Sequence, residues 1–314
     1  MTEHVHMWLD GHTSTADDWH VEALRAAKRE SVAVVLPAFN EAATVGQIVT
    51  TIHEELHGDL VDDLVVLDSG STDDTAQVAA DHGARVVGLN EVFPSLPVMR
   101  GKGEAMWRAL AATDADLVVF IDADLRSFTA SYITGLLGPL LTDPGIQLVK
   151  AVYERPLVEE ESVVPAGGGR VTELVARPLL NLYWPQLAGV IQPLAGEYAA
   201  RRSLLERLPF PVGYGVEFAL LVDTAEMFGV DAIAQVDLGV RLHRHHDERR
   251  LGLMAAQIMQ TALRRLDPQL HASRSVGQAL AQFDRVGHEF VGTWHAIVDV
   301  ERPPLATAPV TQWA

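Results

Sequence analysis

Short runs of apolar residues recur through the first half of the chain, and segments with helical periodicity follow them. The runs Val32–Leu36 and Leu117–Ile121 contain no polar residue, which is typical of strands buried on both faces. Strands that alternate with helices indicate an α/β fold with a mainly parallel sheet flanked by helices. The predicted strands are Val32–Leu36, Leu64–Leu67, Arg85–Val87, Leu117–Ile121 and Ile146–Tyr153, and the predicted helices between them are Thr44–Glu55, Asp73–His82 and Gly103–Ala112.

The N-terminal segment lacks this regular pattern. Residues 1–15 are expected to form a loose tail, so their histidines, His4, His6 and His12, are not expected to form a metal site. Thr15–Glu30 has a candidate N-cap, early acidic residues and late basic residues, which predict a short amphipathic helix.

The second half is predicted in less detail. Val158–Glu173 combines three successive glutamates with three successive glycines, which favours a mobile loop. Helical patterns return at Thr172–Tyr183, Val216–Met227 and Leu251–Leu266. We expect a helical C-terminal extension within Leu251–Val300 that could bury the interface of a homodimer, and the proline-rich tail Glu301–Ala314 receives no predicted structure.

Composition excludes several classes of protein. The 314 residues include 24 basic and 42 acidic side chains, so the net charge of −18 argues against a nucleic acid or an anionic membrane as the main partner. The absence of cysteine excludes disulfides, thiolate metal sites and cysteine nucleophiles. No apolar run reaches the roughly 18 residues of a membrane helix, and the N-terminus does not resemble a signal peptide, so we expect a cytoplasmic protein.

Two aspartates follow the buried run Leu117–Ile121 directly, in the order Asp122, Ala123, Asp124. Carboxylates at this spacing can converge on one hard cation such as Mg²⁺ or Mn²⁺. Either aspartate could instead cap the next helix or turn. The sequence pattern alone leaves both interpretations open.

Polar segments also follow the first two predicted strands. These segments are PAFNE (Pro37–Glu41) and DSGSTDD (Asp68–Asp74), in which Asp73 could cap the following helix. Since ligands bind beyond the carboxyl ends of parallel strands, both segments are candidates for a binding site, although ordinary turn chemistry also explains each one. Lys102, between two glycines at a predicted helix start, is either a phosphate contact or an exposed lysine.

The ordered set LPAFNEAATV, LDSGSTDDT, GKGEAMWRAL and FIDADL resembles the nucleotide-sugar half of a GT-A glycosyltransferase, with a Rossmann-like fold. The likeness covers roughly Val32 to Arg126. It implies that Asp124 binds a divalent cation bridging a diphosphate and that Lys102 lies near the base or phosphates. The residues that it assigns to the nucleotide are Pro37, Ala38, Glu41, Ser69 and, on the ribose side, Asp122.

The segments AGGGRVTELVARPLLNLYWPQL, QPLAGEYAARRSLLERLPFPVGYGVEFALLVD and LGVRLHRHH resemble the glucosyl-3-phosphoglycerate synthase family, whose members are retaining enzymes. The resemblance implies glucose transfer from UDP-glucose to the 2-hydroxyl of 3-phosphoglycerate, with Mg²⁺ or Mn²⁺. It assigns Glu217 to the sugar hydroxyls, His243 to the metal and His245 to the acceptor. The acceptor phosphate is assigned to Gly169, Arg170, Val171 and Thr172.

This resemblance divides the chain into an N-terminal tail and helix (1–30), a nucleotide-sugar half (31–155), an acceptor half (156–266) and a C-terminal extension (267–314). Glu217 could position the sugar or act as a nucleophile. An inverting GT-A transferase with another small acceptor and a non-catalytic nucleotide-sugar sensor remain alternatives. A sugar-nucleotide pyrophosphorylase is disfavoured because PAFNEAATV lacks the basic, glycine-rich loop of those enzymes.

Overall fold

The computed structural model describes residues 2–154, 157–159, 162–164, 169–240, 248–269 and 279–309. Among these residues, eight strands form a central sheet in the order β1-β11-β6-β9-β5-β2-β3-β4, and all neighbouring pairs except the two that involve β9 are parallel. The predicted mainly parallel sheet is therefore confirmed. The strands are β1 (Thr13–Thr15), β2 (Val32–Ala38), β3 (Asp63–Asp68), β4 (Arg85–Gly88), β5 (Leu117–Phe120), β6 (Leu148–Glu154), β9 (Tyr198–Arg201) and β11 (Ile233–Val240).

Helices cover both faces of this sheet, because its strands are apolar on both sides. In β2, Val34 and Leu36 pack into one hydrophobic core and Ala33 and Val35 into the other. This explains why the predicted buried strands show no polar alternation. The helices are α1 (Thr2–His12), α2 (Val21–Ala27), α3 (Val45–Glu55), α4 (Thr75–Asp81), α5 (Lys102–Ala111), α6 (Ser131–Thr142), α7 (Arg177–Tyr183), α8 (Arg202–Leu205), α9 (Val216–Phe228) and α10 (Glu248–Leu266).

Strand β9 was not predicted, and it is antiparallel to both β5 and β6. Its four residues, Tyr198–Arg201, include two alanines and are too short for a clear strand pattern. By joining β5 to β6, this strand carries the preceding residues, Ala195–Glu197, to the edge of the sheet where β5 ends.

The predicted N-terminal tail was wrong, and the helix predicted over Thr15–Glu30 is present only at Val21–Ala27. Residues 2–12 form α1 instead of a loose tail, because Trp8 is buried against the fold and donates a hydrogen bond from Nε1 to the carbonyl of Val230 at 3.0 Å. Thr15–Glu30 is a short 3₁₀ turn, Ala16–Asp18, followed by α2, instead of one helix. A long-range contact therefore overrides the weak local signal.

The prediction of a helical C-terminal extension was wrong for the described residues beyond α10. Residues 279–296 form a β-hairpin of β12 (Ala279–Val286) and β13 (Glu289–Ala296). Gly287, with φ of 63°, is the first of two turn residues, as in tight hairpins with a type II′ turn. The tail contains β14 (Glu301–Arg302), which pairs with β10 (Phe210–Pro211), and a 3₁₀ turn at Leu305–Thr307.

The segment Val158–Glu173 was predicted to be a loop. Its described part instead includes two short antiparallel strands, β7 (Leu157–Glu159) and β8 (Ser162–Val164). A π-helical turn, Thr172–Ala176, begins within the last two residues of the segment Val158–Glu173 and continues into α7. A 3₁₀ turn, Pro185–Leu187, follows α7. None of the helices in the described ranges has the length and apolar character needed to cross a bilayer.

Candidate active site

The carboxyl ends of β2, β3 and β5 open into one cavity of about 1050 Å³. Ligands of open α/β sheets bind at this edge. His243 and His245 lie outside the described residues. The structure brings all the other predicted site residues into the cavity wall: Pro37, Ala38, Glu41, Ser69, Lys102, Asp122, Asp124, Gly169, Arg170, Val171, Thr172 and Glu217. The individual role of each residue stays a prediction.

The loops that follow β2 and β3 are hydrogen-bonded to each other across the nucleotide side of the cavity. The backbone N–H of Asn40 donates to Oγ of Ser71 at 2.9 Å, and Oδ1 of Asn40 accepts from the N–H of Thr72 at 2.8 Å. Asn40 has a φ of 57°, a left-handed conformation that asparagine tolerates. The N–H of Glu41 donates to the hydroxyl of Thr75 at 2.8 Å. These bonds give the two loops one fixed arrangement.

Asp73 orders the second of these loops at the start of α4. Its Oδ1 accepts hydrogen bonds from the hydroxyl of Thr75 and, at 3.1 Å, from the Thr75 N–H. The hydroxyl contact is the main cause that holds the pKa of Asp73 below its usual value. On the other side, the hydroxyl of Thr44 donates to the carbonyl of Ala123 at 2.7 Å and ties the first loop to the aspartate pair.

Lys102, at the first position of α5, pairs with two carboxylates of the cavity wall. Its Nζ lies 3.0 Å from Oδ1 of Asp122 and 2.8 Å from Oε1 of Glu217, which is 4% exposed. Burial alone would lower the pKa of the ammonium, but the two carboxylate charges outweigh burial and hold this pKa well above its usual value. Lys102 therefore stays charged, and it compensates the repulsion that two neighbouring aspartates would otherwise create.

The two glycines around Lys102 allow a close backbone approach. A Cβ on Gly101 or on Gly103 would overlap the carbonyl oxygen of Val212 or of Pro211, respectively. The N-terminus of α5 therefore packs directly against the segment that leads into α9 and Glu217. This contact between backbones explains how residues distant in sequence meet at hydrogen-bond distance.

A buried ionic cluster joins α5 to β14 and to the loop after β4. Glu104 is fully buried between Arg108, at 2.8 Å, and Arg302 of β14, at 2.6 Å. Arg108 also donates to carbonyls of the loop after β4, including those of Val92 and Leu96. Because residues 89–91 of this loop line the cavity, the C-terminal strand β14 helps to fix the cavity wall.

Asp124 is the carboxylate that the sequence predicts as a metal ligand. It is half-buried in the cavity wall, and Asp122, two residues earlier, faces the Lys102 ammonium. Carboxylate oxygens suit Mg²⁺ or Mn²⁺, and Mg²⁺ commonly takes only one or two protein carboxylates together with phosphate oxygens. The described residues contain no group of three or more metal-ligating side chains. The donor set therefore fits such a cation only with ligands from the substrate or from outside the described ranges.

The acceptor side of the cavity is formed by the glycine turn before the π-helical turn. Gly169 has a φ of 81°, Arg170 is exposed, and Val171 and Thr172 are buried. Arg177 fixes the C-terminal side of this turn. Its guanidinium lies 2.8 Å from the Glu173 carboxylate and donates a hydrogen bond to the carbonyl of Ile191 at 2.7 Å. An arginine, a hydroxyl and backbone amides at this position form a suitable cradle for a phosphate.

Sequence reasoning missed several residues of the cavity. Gly196 is the most informative, because a Cβ there would lie 2.5 Å from Nζ of Lys102 and would overlap Oδ2 of Asp122. Its only signal was a glycine before a glutamate in PLAGEY. Other cavity residues that were not predicted include Arg100, Leu194, Tyr214, Leu251 and Met254.

Comparison with known proteins agrees with this architecture. Residues 33–159 match the Glycosyl transferase family 2 profile. Together with the sheet order and the cavity at the strand ends, this match defines the chain as a glycosyltransferase of the GT-A class.

Two relatives are glucosyl-3-phosphoglycerate synthases. The enzyme of Mycolicibacterium smegmatis is 47% identical over 96% of this chain and 98% of its own length. That of Mycobacterium tuberculosis is 54% identical over 91% of this chain and 89% of its own length. The chain belongs to the glucosyl-3-phosphoglycerate synthase family.

Crystal structures of the M. tuberculosis enzyme superpose closely on this fold. The complex with Mn²⁺, UDP and glucosyl-3-phosphoglycerate gives a TM-score of 0.82 at 48% identity, covering 92% of this chain and 95% of that one. The complex with Mg²⁺ and UDP gives a TM-score of 0.83 at 47% identity, covering 94% and 98%. The complex with Mn²⁺ and UDP-glucose gives 0.82 at 48% identity, covering 92% and 95%.

Proposed function

We propose that this protein transfers glucose from UDP-glucose to the 2-hydroxyl of 3-phosphoglycerate. The bond between the anomeric carbon and the UDP oxygen breaks, the new bond forms to the acceptor oxygen, and the products are glucosyl-3-phosphoglycerate and UDP. The observation that carries this proposal is that one cavity is lined by the strand-end loops, by the Lys102–Glu217 pair and by the Gly169–Thr172 turn. The family relationship supports the same reaction.

The donor lies on the side of β2 and β3 in this proposal. Pro37, Ala38, Glu41 and Ser69 hold the nucleotide, and Asp122 faces the ribose. The hydrogen bonds between the two loops support this assignment because they fix the loops before the donor binds, which lowers the entropy lost on binding. Residues 31–155 then form the nucleotide-sugar half and residues 156–266 the acceptor half.

Asp124 would hold a Mg²⁺ or Mn²⁺ ion, with His243 as a second protein ligand. When bound, such an ion stabilises the negative charge that develops on the departing diphosphate. The relatives crystallised with Mn²⁺ or Mg²⁺ together with UDP support this choice of cofactor. The position of Asp124 at the end of β5, beside the donor loops, agrees with it.

Glu217 positions the sugar, and the reaction proceeds with retention by attack on the same face as the leaving group. The acceptor hydroxyl proton then passes to the departing phosphate oxygen. The contact between Glu217 Oε1 and the Lys102 ammonium at 2.8 Å supports positioning over nucleophilic attack, because a carboxylate engaged by an ammonium is a weaker nucleophile. A covalent glucosyl adduct trapped on Glu217 would contradict this assignment.

The acceptor phosphate binds at Gly169–Thr172, and His245 contacts the acceptor. Arg170 supplies the positive charge that an acidic protein must place locally to bind 3-phosphoglycerate. Arg170→Ala is expected to raise the KM for 3-phosphoglycerate about tenfold or more while changing the KM for UDP-glucose little. Arg29→Ala, at an exposed position that does not line the cavity, is the control, and an equal change in both KM values would contradict the assignment.

The protein acts as a homodimer in this proposal, with the β12–β13 hairpin at the interface. Phe290 and Trp294 are 71% and 66% exposed, and exposed apolar surface of this kind favours a partner. A second copy would present the same face, as in a symmetric dimer. Phe290→Asp should convert the dimer to a 34.2 kDa monomer in light scattering, whereas Glu289→Gln should not. A wild-type monomer would contradict the proposal.

A cytoplasmic location completes the proposal, since both substrates are cytoplasmic metabolites. Cell fractionation tests the location, and recovery of the protein in a membrane or secreted fraction would contradict it.

The reaction itself is tested with purified protein in a matrix of sugar nucleotides and small acceptors, with UDP release as the readout. We expect release with UDP-glucose and 3-phosphoglycerate together and much less with either alone. Efficient release with an unphosphorylated acceptor, or none with this pair, would contradict the proposed function.

A further inference from the structure

The chain has three lysines, Lys28, Lys102 and Lys150, against 21 arginines. Lys102 lies in the cavity wall, and Lys150, on β6, is 2% exposed. Removing an ammonium from water is unfavourable, so a lysine at a core position of a strand requires specific compensating contacts. Lys150 is not among the residues that line the cavity.

The compensating contacts of Lys150 lie in the segment that leads into β9. Its Nζ donates a hydrogen bond to the carbonyl of Ala195 at 2.6 Å and lies 5.0 Å from the ring centroid of Tyr198. Two further contacts from β6 hold the same segment at Glu197. The backbone N–H of Ala151 donates to the Glu197 carbonyl at 3.1 Å, and the Tyr153 hydroxyl donates to Oε2 of Glu197 at 2.7 Å.

Gly196, between Ala195 and Glu197, packs directly against the Lys102–Asp122 pair. There is no room for a Cβ at this position, because it would lie 2.5 Å from Nζ of Lys102 and overlap the Asp122 carboxylate. A small shift of the Gly196 backbone would therefore move the ion pair. The contact of Lys150 with Ala195 lies one residue away from this backbone.

We propose that Lys150 is a positioning residue for the transfer step: its hydrogen bond to Ala195 fixes the Gly196 backbone and, through it, the Lys102 ammonium between Asp122 and Glu217. This inference rests on the proposed function for the reaction that it serves. The charges of Glu217 and Lys102 also act on Lys150. Burial lowers its pKa to about 8, with Glu217 opposing and Lys102 adding to the effect.

Lysine suits this position better than arginine does. An ammonium has three N–H donors, fewer than a guanidinium, and here one carbonyl and an aromatic ring face it. A guanidinium presents five N–H donors in a planar fork, and the buried segment would leave several of them without an acceptor. This difference explains why lysine occupies this position in a chain that has far more arginines than lysines.

A double-mutant cycle tests the coupling. Lys150→Met should lower kcat about 10- to 100-fold, because small misplacements of a catalytic group have effects of this size, and should change the KM for UDP-glucose less than about threefold. The double variant Lys102→Met/Lys150→Met should be no slower than Lys102→Met, since Lys150 acts through Lys102. Full kcat in Lys150→Met, or losses that multiply in the double variant, would overturn the inference.

Lys28→Met is the matched control. It removes a lysine that is held by an ion pair, with Nζ 2.7 Å from Oδ2 of Asp62, and that is not among the residues lining the cavity. It should keep wild-type kcat and KM values. A role of Lys150 in stability alone would lower the melting temperature of Lys150→Met while the folded fraction keeps its kcat.

A measurement on the wild-type protein covers the case in which Lys150→Met does not fold. With lysine labelled at Cε and Nζ, the three side chains give three NMR signals, and the Lys28→Arg variant identifies one of them. UDP with Mg²⁺ should shift the Lys102 and Lys150 signals and leave that of Lys28 in place. A shift of only one of the two signals other than that of Lys28 would overturn the inference, whereas lack of UDP binding and of wild-type turnover would refute the proposed function instead.

Discussion

The ammonium of Lys102 lies 2.8 Å from the carboxylate of Glu217, and this contact joins the N-termini of α5 and α9 at the floor of the cavity. The pair exists because glycines on either side of Lys102 let α5 approach the backbone at residues 211–212. It orients Glu217, and the Lys102 side chain, 22% exposed, lines the cavity. The following predictions concern this pair, the residues that support it and the aspartates beside it.

Glu217→Gln keeps the size of the side chain and removes its charge. We expect kcat to fall about 100-fold, because the sugar loses an oriented carboxylate and Lys102 is held by Asp122 alone. Steady-state kinetics at saturating substrates measure the effect. Glu54→Gln, on the exposed face of α3, is the control and should match the wild type. An unchanged kcat for Glu217→Gln would contradict a positioning role for this residue.

Gly196→Ala adds one methyl group against the Lys102–Asp122 pair. Since this Cβ would overlap Asp122, the pair must separate, and we expect a loss of kcat of about tenfold or more with a modest loss of stability. Gly11→Ala is the matched control, because nothing lies within 4 Å of its added Cβ and it is in a helix. That variant should be as stable as the wild type or more so. Equal activity of the two variants would contradict the close packing at Gly196.

Sequence reasoning worked where local pattern and packing agree. The strands β2, β3 and β5 and the loops after them could be predicted because apolar runs end abruptly in polar turns, which also located Asp122 and Asp124. Lys102 could be located because it lies between two glycines at a predicted helix start. Sequence reasoning failed where tertiary contacts decide the structure. Trp8 stabilises α1 by a contact with Val230, and the four-residue strand β9 depends on pairing with its two neighbours.

The residues that support the site from outside its motifs could not be predicted from the sequence either. Gly196 and Lys150 carry no recognisable motif, and their importance is visible only from the distances to Lys102 and Ala195. The C-terminal hairpin was predicted as helix because the apolar residues of 279–296 do not alternate cleanly, both faces being largely exposed. Its turn at Gly287 was the signal that could have corrected the prediction.

Asp124→Asn tests the metal assignment. Turnover should be abolished in the wild type by a chelator and restored by Mg²⁺ or Mn²⁺, and Asp124→Asn should remain at least about 100-fold slower at saturating metal. The exposed Asp114→Asn is the control. His243→Ala should raise the metal concentration needed for half-maximal turnover. Full activity of Asp124→Asn in the presence of a chelator would contradict the assignment.

The stability of the wild type should respond to alkaline pH through Lys150. Its pKa in the folded protein is about 8, below the usual 10.5, so the unfolded chain binds more protons between these values. The free energy of unfolding of the wild type, relative to that of Lys150→Met, should therefore rise from pH 8 to about 10.5 and be constant below pH 8. Chemical denaturation of both proteins across this range measures the difference. Parallel pH profiles would contradict a lowered pKa of Lys150 in the folded protein.

The most direct test of the central claim is the structure of the reaction product. UDP-glucose labelled with ¹³C at the anomeric carbon is incubated with 3-phosphoglycerate, Mg²⁺ and the purified protein, and the product is analysed by NMR. We predict that the labelled carbon is bonded to the 2-oxygen of 3-phosphoglycerate in the α configuration of the donor. A β-linked product would contradict retention, and label that is released only as free glucose or remains in UDP-glucose would contradict the proposed transfer.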